Sequence, residues 1–178
     1  MAASDLFLFD DPLHRRRASP VLRRIPELRG PPIRIQSAQG LRDHRGPVHA
    51  GAFLRERRIA FDCSRAEFPR IFVHELAHFI WLRLGNAQRH SYEALLRAEH
   101  ASGELGWSAQ WRKCALTSRD CGDRSRRWRE YCCESFCDTA AWFWSSLARH
   151  PEFTLPARAR ARRARWFYGT LGNGPLSI

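Results

Sequence analysis

The segment Ile71-Phe-Val-His-Glu-Leu-Ala-His-Phe-Ile-Trp81 constrains this chain more than any other. It is apolar on nearly every side of a helix, and a helix of that kind belongs in a core. Yet it carries two histidines and a glutamate in the pattern H-E-x-x-H, and buried polar groups need partners. On a helix, His74 and His78 lie one above the other on the same face, so their imidazoles suit two adjacent corners of a zinc tetrahedron. Glu75 stands one step round the same surface. From there its carboxylate can take a proton from a metal-bound water and pass it to a leaving amine. Pro69 fits the first turn of this helix, and Gly85 after Leu84 is a natural stop.

Two histidines do not complete a catalytic zinc site, which takes three protein ligands and one open position. The pattern H-E-x-x-H-x-x-G-x-x-H is excluded, because Trp81 and Leu84 stand where its Gly and last His would be. The second strong element, from about Ser125 to Arg149 and stopped by Pro151, supplies Glu134 and Asp138 four apart. They share a helical face with Tyr131 and Ala141. Glu134 is the leading third ligand, with Asp138 orienting a ligating imidazole through its other nitrogen. Glu130, His90 and His100 remain alternatives for the third ligand. Cys137, three residues from Glu134, is a candidate fourth donor that would close the site and make it structural.

Around these helices the chain reads as one domain with loose ends. Residues 1–47, rich in Pro and Arg, read as an extended arm with a short strand at Ile33 to Gln36. Residues 48–155 form the folded domain. It opens on a hairpin over Val48 to Cys63 and continues past the main helix with further helices at 90–101 and 107–116. Residues 156–178 read as a basic tail. The N-terminal stretch shows no basic start or long apolar core, so no export signal is expected and the expected compartment is the cytoplasm. No apolar run approaches the length of a membrane span. The six cysteines form no C-x-x-C pair and read as reduced thiols, with Cys114 and Cys121 the pair closest to a second metal site or a disulfide.

The formal net charge is +12, and every basic residue except Lys113 is an arginine. Arg15-Arg16-Arg17, Arg23-Arg24 and the run Arg158 to Arg165 are clustered, so weak nucleic-acid contact is an expectation. Arg165-Trp166-Phe167-Tyr168 offers aromatics that could stack on bases, against the plainer reading of a helix end packed on the domain. A catalytically inactive regulatory protein that uses arm and tail on nucleic acid is therefore the alternative to an enzyme.

The stretches I-A-F-D, F-P-R-I-F-V-H-E-L-A-H-F-I and C-E-S-F-C-D-T-A-A resemble the gluzincin class of zinc metallopeptidases, including the minigluzincins. The nearest flavour is the ImmA/IrrE-like peptidase domain, with Asp138 standing where those domains have Asn. The resemblance covers about residues 48 to 148. It implies an α+β fold with a zincin-like core, in which a small mixed β-sheet packs on the HExxH helix and a second helix brings the glutamate. It also implies Zn2+ held by His74, His78 and Glu134, with Glu75 as general base in the hydrolysis of a protein or peptide substrate by a zinc-activated water. A donor to the oxyanion is expected as well, with Tyr131 the first candidate and His100 the second.

Overall fold

The computed structural model describes residues 6–43 and 46–178. The elements in chain order are β1 (Phe7–Phe9), α1 (Pro12–Leu22), β2 (Leu28–Arg29), β3 (Ile33–Ser37), β4 (Arg42–Asp43), β5 (Gly46–Pro47), β6 (Ala50–Phe53) and β7 (Arg58–Phe61). They continue with α2 (Phe68–Arg83), α3 (Asn86–Ala98), α4 (Trp107–Cys114), α5 (Ser118–Gly122), α6 (Arg126–Ser145), α7 (Ala157–Leu171) and β8 (Leu176–Ser177). The fold class is α+β. No helix among the described residues is long and apolar enough to cross a membrane. The reading of the N-terminus for an export signal rests partly on residues 1–5, outside the described residues.

Four strands make the main sheet in the order β1-β3-β7-β6; β1 and β3, and β3 and β7, run parallel, while β6 returns antiparallel on β7. Alternation sets the buried face of β3: Ile33 and Ile35 are both 0% exposed, with Arg34 outside between them. The inner face meets α2 through a ring cluster. Phe7 and Phe72 lie 5.7 Å apart edge to face, and Phe61 and Phe68 lie 4.8 Å apart. Burying a ring such as Phe72 contributes about 1.5–3 kcal/mol. The opposite side of α2 packs on α6, the most extensive element contact in the fold. The helix with the histidines is thus held between a sheet and a second helix.

Two of the predicted boundaries need correction. The described residues of the expected arm, 6–43 and 46–47, are not extended chain: β1 and β3, the latter at the expected strand, belong to the main sheet, and α1 crosses between them. Pro12 starts α1 rather than blocking it, because Asp11 caps the helix by accepting from the Leu13 N–H at 2.8 Å and proline has no amide to satisfy at that position. Pro20 lies inside the last turn, where it has no N–H to give the Arg16 carbonyl, and the helix ends two residues later at Leu22. Residues 156–178 are not a loose basic tail either. They form α7, whose Ala159, Arg163, Phe167 and Leu171 are spaced four apart and buried.

The ends of the two main helices are set locally. Ser125 caps α6 by accepting from the Trp128 N–H, and Ser146 ends it in a left-handed turn at φ 55°, a few residues before the expected stop. After α2, Leu84 turns extended with ψ 142°, and Gly85 begins α3 at a negative φ, so no glycine-specific cap is involved. Arg89 reaches back instead and donates to the carbonyls of Leu82 and Leu84. That satisfies acceptors a helix end leaves free.

Candidate active site

His74, Glu75 and His78 come from α2 and face Cys133, Glu134, Cys137 and Asp138 on α6. His74 Nδ1 lies 2.8 Å from Asp138 Oδ1, which leaves its Nε2 3.4 Å from Glu134 Oε2. His78 Nδ1 lies 3.4 Å from Cys133 Sγ, and its Nε2 is 4.0 Å from the same Glu134 oxygen. Both Nε2 atoms therefore converge on one carboxylate oxygen. Donor atoms on a zinc tetrahedron with bonds of about 2.0–2.1 Å are about 3.3 Å apart. The first separation meets that figure; the second, at 4.0 Å, is longer than a bound pair would be, and Glu134 is not in the trio of donors that all lie within 4.8 Å of one another. The three side chains are 13%, 18% and 19% exposed, so the cluster is sheltered yet reachable from solvent.

A second donor set overlaps this one. Among the described residues, His74, His78 and Cys137 bring ligand atoms within 4.8 Å of one another. Cys137 is fully buried, and burial holds its thiol well above the usual range, with Cys133 adding to the effect. Glu134 behaves in the opposite way: burial resists its charge, but the hydrogen bond to His74 and the nearby imidazoles keep its pKa down at about 2. Burial likewise opposes a charge on His74, and hydrogen bonds to Asp138 and Glu134 outweigh it, so its pKa stands well above that of a free imidazole. A carboxylate already ionised is a readier ligand than a thiol that must first lose its proton.

Glu75 is 8% exposed and faces the Ala52 backbone, whose nearby amide favours the ionised carboxylate. Burial raises its pKa against the pull of His74 and His78. Two adjoining clefts share His74 and Glu75. One, of about 410 Å³, runs between β6 and the face of α4 with Trp107, Trp111 and Arg112. The other, of about 470 Å³, runs toward Arg70 and Glu152. Trp107 is 62% exposed and Trp111 38%, so two large rings stand open on one wall. The opposite wall is Ala50-Gly51-Ala52, the smallest side chains available. The strand wall lies in the hairpin expected over Val48 to Cys63, but motif reasoning singled out none of Trp107, Trp111 and Arg112, because nothing local in the sequence ties α4 to α2.

Other candidates fall elsewhere. Tyr131, expected to face the reacting atoms, is 0% exposed, lines neither cleft and donates its hydroxyl to Glu104. His100 stacks on Trp128 with ring centroids 6.5 Å apart and lines neither cleft. Glu130 is held by Arg112 at 2.5 Å and by Arg126 at 2.8 Å. His90 is exposed on α3. In the tail, Phe167 is 1% exposed and Trp166 donates Nε1–H to Ser91 Oγ at 2.9 Å, so of that aromatic cluster only Tyr168 is open to solvent. The six cysteines stand as free thiols.

The Tyr131 contact makes a direct expectation. Tyr131→Phe removes a donor from buried Glu104 and should cost about 1–3 kcal/mol of stability. Thermal unfolding of the variant beside wild type checks this, and an unchanged melting temperature would show that the contact contributes little.

No family model matches this chain, and neither a curated protein nor a solved structure matches it.

Proposed function

We propose that this chain is a zinc-dependent metalloendopeptidase with a zincin-like core of the gluzincin kind. The observation that carries the reading is the convergence of the His74 and His78 Nε2 atoms on Glu134 Oε2, with Glu75 beside them. His74, His78 and Glu134 would hold the ion, and Asp138 fixes the His74 ring by accepting from Nδ1. When bound, zinc would act as a Lewis acid on the scissile carbonyl and make water a usable nucleophile near pH 7. Glu75 takes the proton from the attacking water and delivers it to the departing amine nitrogen.

The substrate side follows from the sheet. β6 ends the sheet, with β7 on one side and no strand on the other among the described residues. An extended peptide can add to such an edge through its backbone. The small side chains of the Ala50-Gly51-Ala52 wall leave room for it, and Trp107 and Trp111 face it from the opposite wall. Clefts on both sides of Glu75 leave room for chain before and after the cut, which favours an internal bond over a terminal one.

A second reading takes its support from the His74, His78 and Cys137 donor set, which with Glu134 would make a closed structural zinc site with no position left for water. Zinc per chain, measured by elemental analysis on wild type, Glu134→Ala and Cys137→Ser, separates the two. The peptidase reading expects about one zinc in wild type and Cys137→Ser and a clear loss in Glu134→Ala. Loss in Cys137→Ser as well would favour the closed site, and little zinc in wild type would overturn both.

A further inference from the structure

Gly106 precedes α4 with φ −172° and ψ 162°, an extended conformation open to any residue. What demands glycine there is space. A Cβ at this position would lie 2.3 Å from Asp138 Cγ and 2.4 and 2.5 Å from its two carboxylate oxygens. That carboxylate is 3% exposed and cannot swing away freely, because both oxygens are engaged. Oδ1 meets His74 Nδ1 at 2.8 Å, and Oδ2 accepts the Ala109 N–H at 2.9 Å.

Ala109 is the third residue of α4, whose amide an N-cap side chain ordinarily satisfies. Gly106 sits at the cap and has no side chain to offer. Asp138 supplies the capping oxygen from a different helix, so one carboxylate both starts α4 and orients His74. The helix it starts carries Trp107, Trp111 and Arg112 of the cleft wall.

We propose that Gly106 is a positioning residue of the metal site: its missing side chain lets Asp138 seat between α4 and His74, and so sets zinc affinity without contact to any ligand. This rests on the peptidase reading only in taking His74 as a zinc ligand. Losing the outer partner of a metal-binding histidine typically weakens metal binding by about 10–100-fold, and a methyl group at 106 would displace that partner.

The test is the zinc dissociation constant of the full chain, by competition with a chromophoric chelator. The variants are Gly106→Ala, Gly103→Ala, Asp138→Ala and the double variant Gly106→Ala/Asp138→Ala. Gly103 is the steric control, since a Cβ there would lie 2.4 Å from Thr154 Oγ1, a crowding as severe but directed elsewhere. Gly106→Ala is expected to bind zinc about 10–100-fold more weakly, with Gly103→Ala close to wild type. The double variant should bind no more weakly than Asp138→Ala, because the crowded group is gone. Should Gly106→Ala fail to fold, recovery of folding in the double variant carries the same conclusion, and failure to recover overturns it. Wild-type affinity in Gly106→Ala, or an equal loss in Gly103→Ala, would overturn the role of Gly106 and leave the zinc site standing. A wild-type chain that binds no zinc would take down both.

Discussion

Replacing Glu75 by glutamine is expected to lower peptide hydrolysis by about 10²–10⁴-fold, the usual contribution of a positioned general base, while zinc content stays near that of wild type. The substitution is nearly isosteric, and the amide oxygen can still face the Ala52 backbone. What it removes is the ability to hold a proton. Burial raises the Glu75 pKa, which makes the carboxylate a stronger base than an exposed one. Cleavage of a mixed fluorogenic peptide pool, with zinc measured on the same samples, reads both quantities. Full activity in Glu75→Gln would sink the mechanism, and loss of zinc would mean that Glu75 belongs to the ligand set.

Arg163→Met is expected to destabilise the fold by about 3–5 kcal/mol, because it takes from buried Glu99 and Glu104 the one cation they share and leaves Glu99 only Arg162 at 3.0 Å and Glu104 only Lys113 at 3.4 Å. Arg163 is 0% exposed; its Nε donates to Glu99 at 2.9 Å and its Nη1 to Glu104 at 2.8 Å, Ser135 at 2.9 Å and Thr139 at 3.1 Å. At roughly 2–4 °C per kcal/mol for a chain of this size, the melting temperature should fall by on the order of 10 °C. The pH dependence has a definite sign. Burial resists the Glu104 charge, but Arg163 overcomes it and holds the carboxyl below its ordinary value of 4.5. That stability is therefore fully present above pH 4.5 and is lost as pH falls through the lower, folded-state value. In the variant nothing of equal strength opposes burial, so its deficit should shrink in acid. Denaturant unfolding at pH 7 and below pH 4 checks this; a deficit under about 1 kcal/mol at neutral pH would show that the network contributes little.

The histidine helix was legible because its signals are local: Pro69 fixes the start, the apolar run fixes burial, and the histidine spacing fixes a shared face. The β6–β7 hairpin and the helix with Glu134 and Asp138 were readable for the same reason. Of the N-terminal elements β3 was legible, at the strand expected over Ile33 to Gln36, but β1 and α1 were not, since Pro12 and Pro20 read as breakers when Pro12 in fact sits where a helix tolerates proline. The buried stripe of α7 was hidden by chemistry rather than by period. Ala159, Phe167 and Leu171 are four or eight apart, but Arg163 between them reads as surface, and only Glu99 and Glu104, some sixty residues earlier, make it a core residue. Tyr131 shows the converse limit. Its helical face was read correctly, yet a face is wide enough to hold both a cleft residue and one turned to Glu104. The seating of Asp138 against Gly106 joins residues from separate helices, and no short-range pattern signals it.

The small parallel pair of β2 and β8 sets an order on the making of the fold. It joins Leu28 to Leu176, and the backbone of Gly30 lies so close to Ile178 that no side chain would fit between them. The hairpin and the helices can form from neighbours in the chain, but this clasp must wait for residues translated long after its first half. At about 5–20 residues per second, β2 spends on the order of ten seconds outside the ribosome without its partner. A late-made strand thus closes over an early-made one, and the interval between them is when the half-built molecule is most open to chaperones and to pairing with other chains.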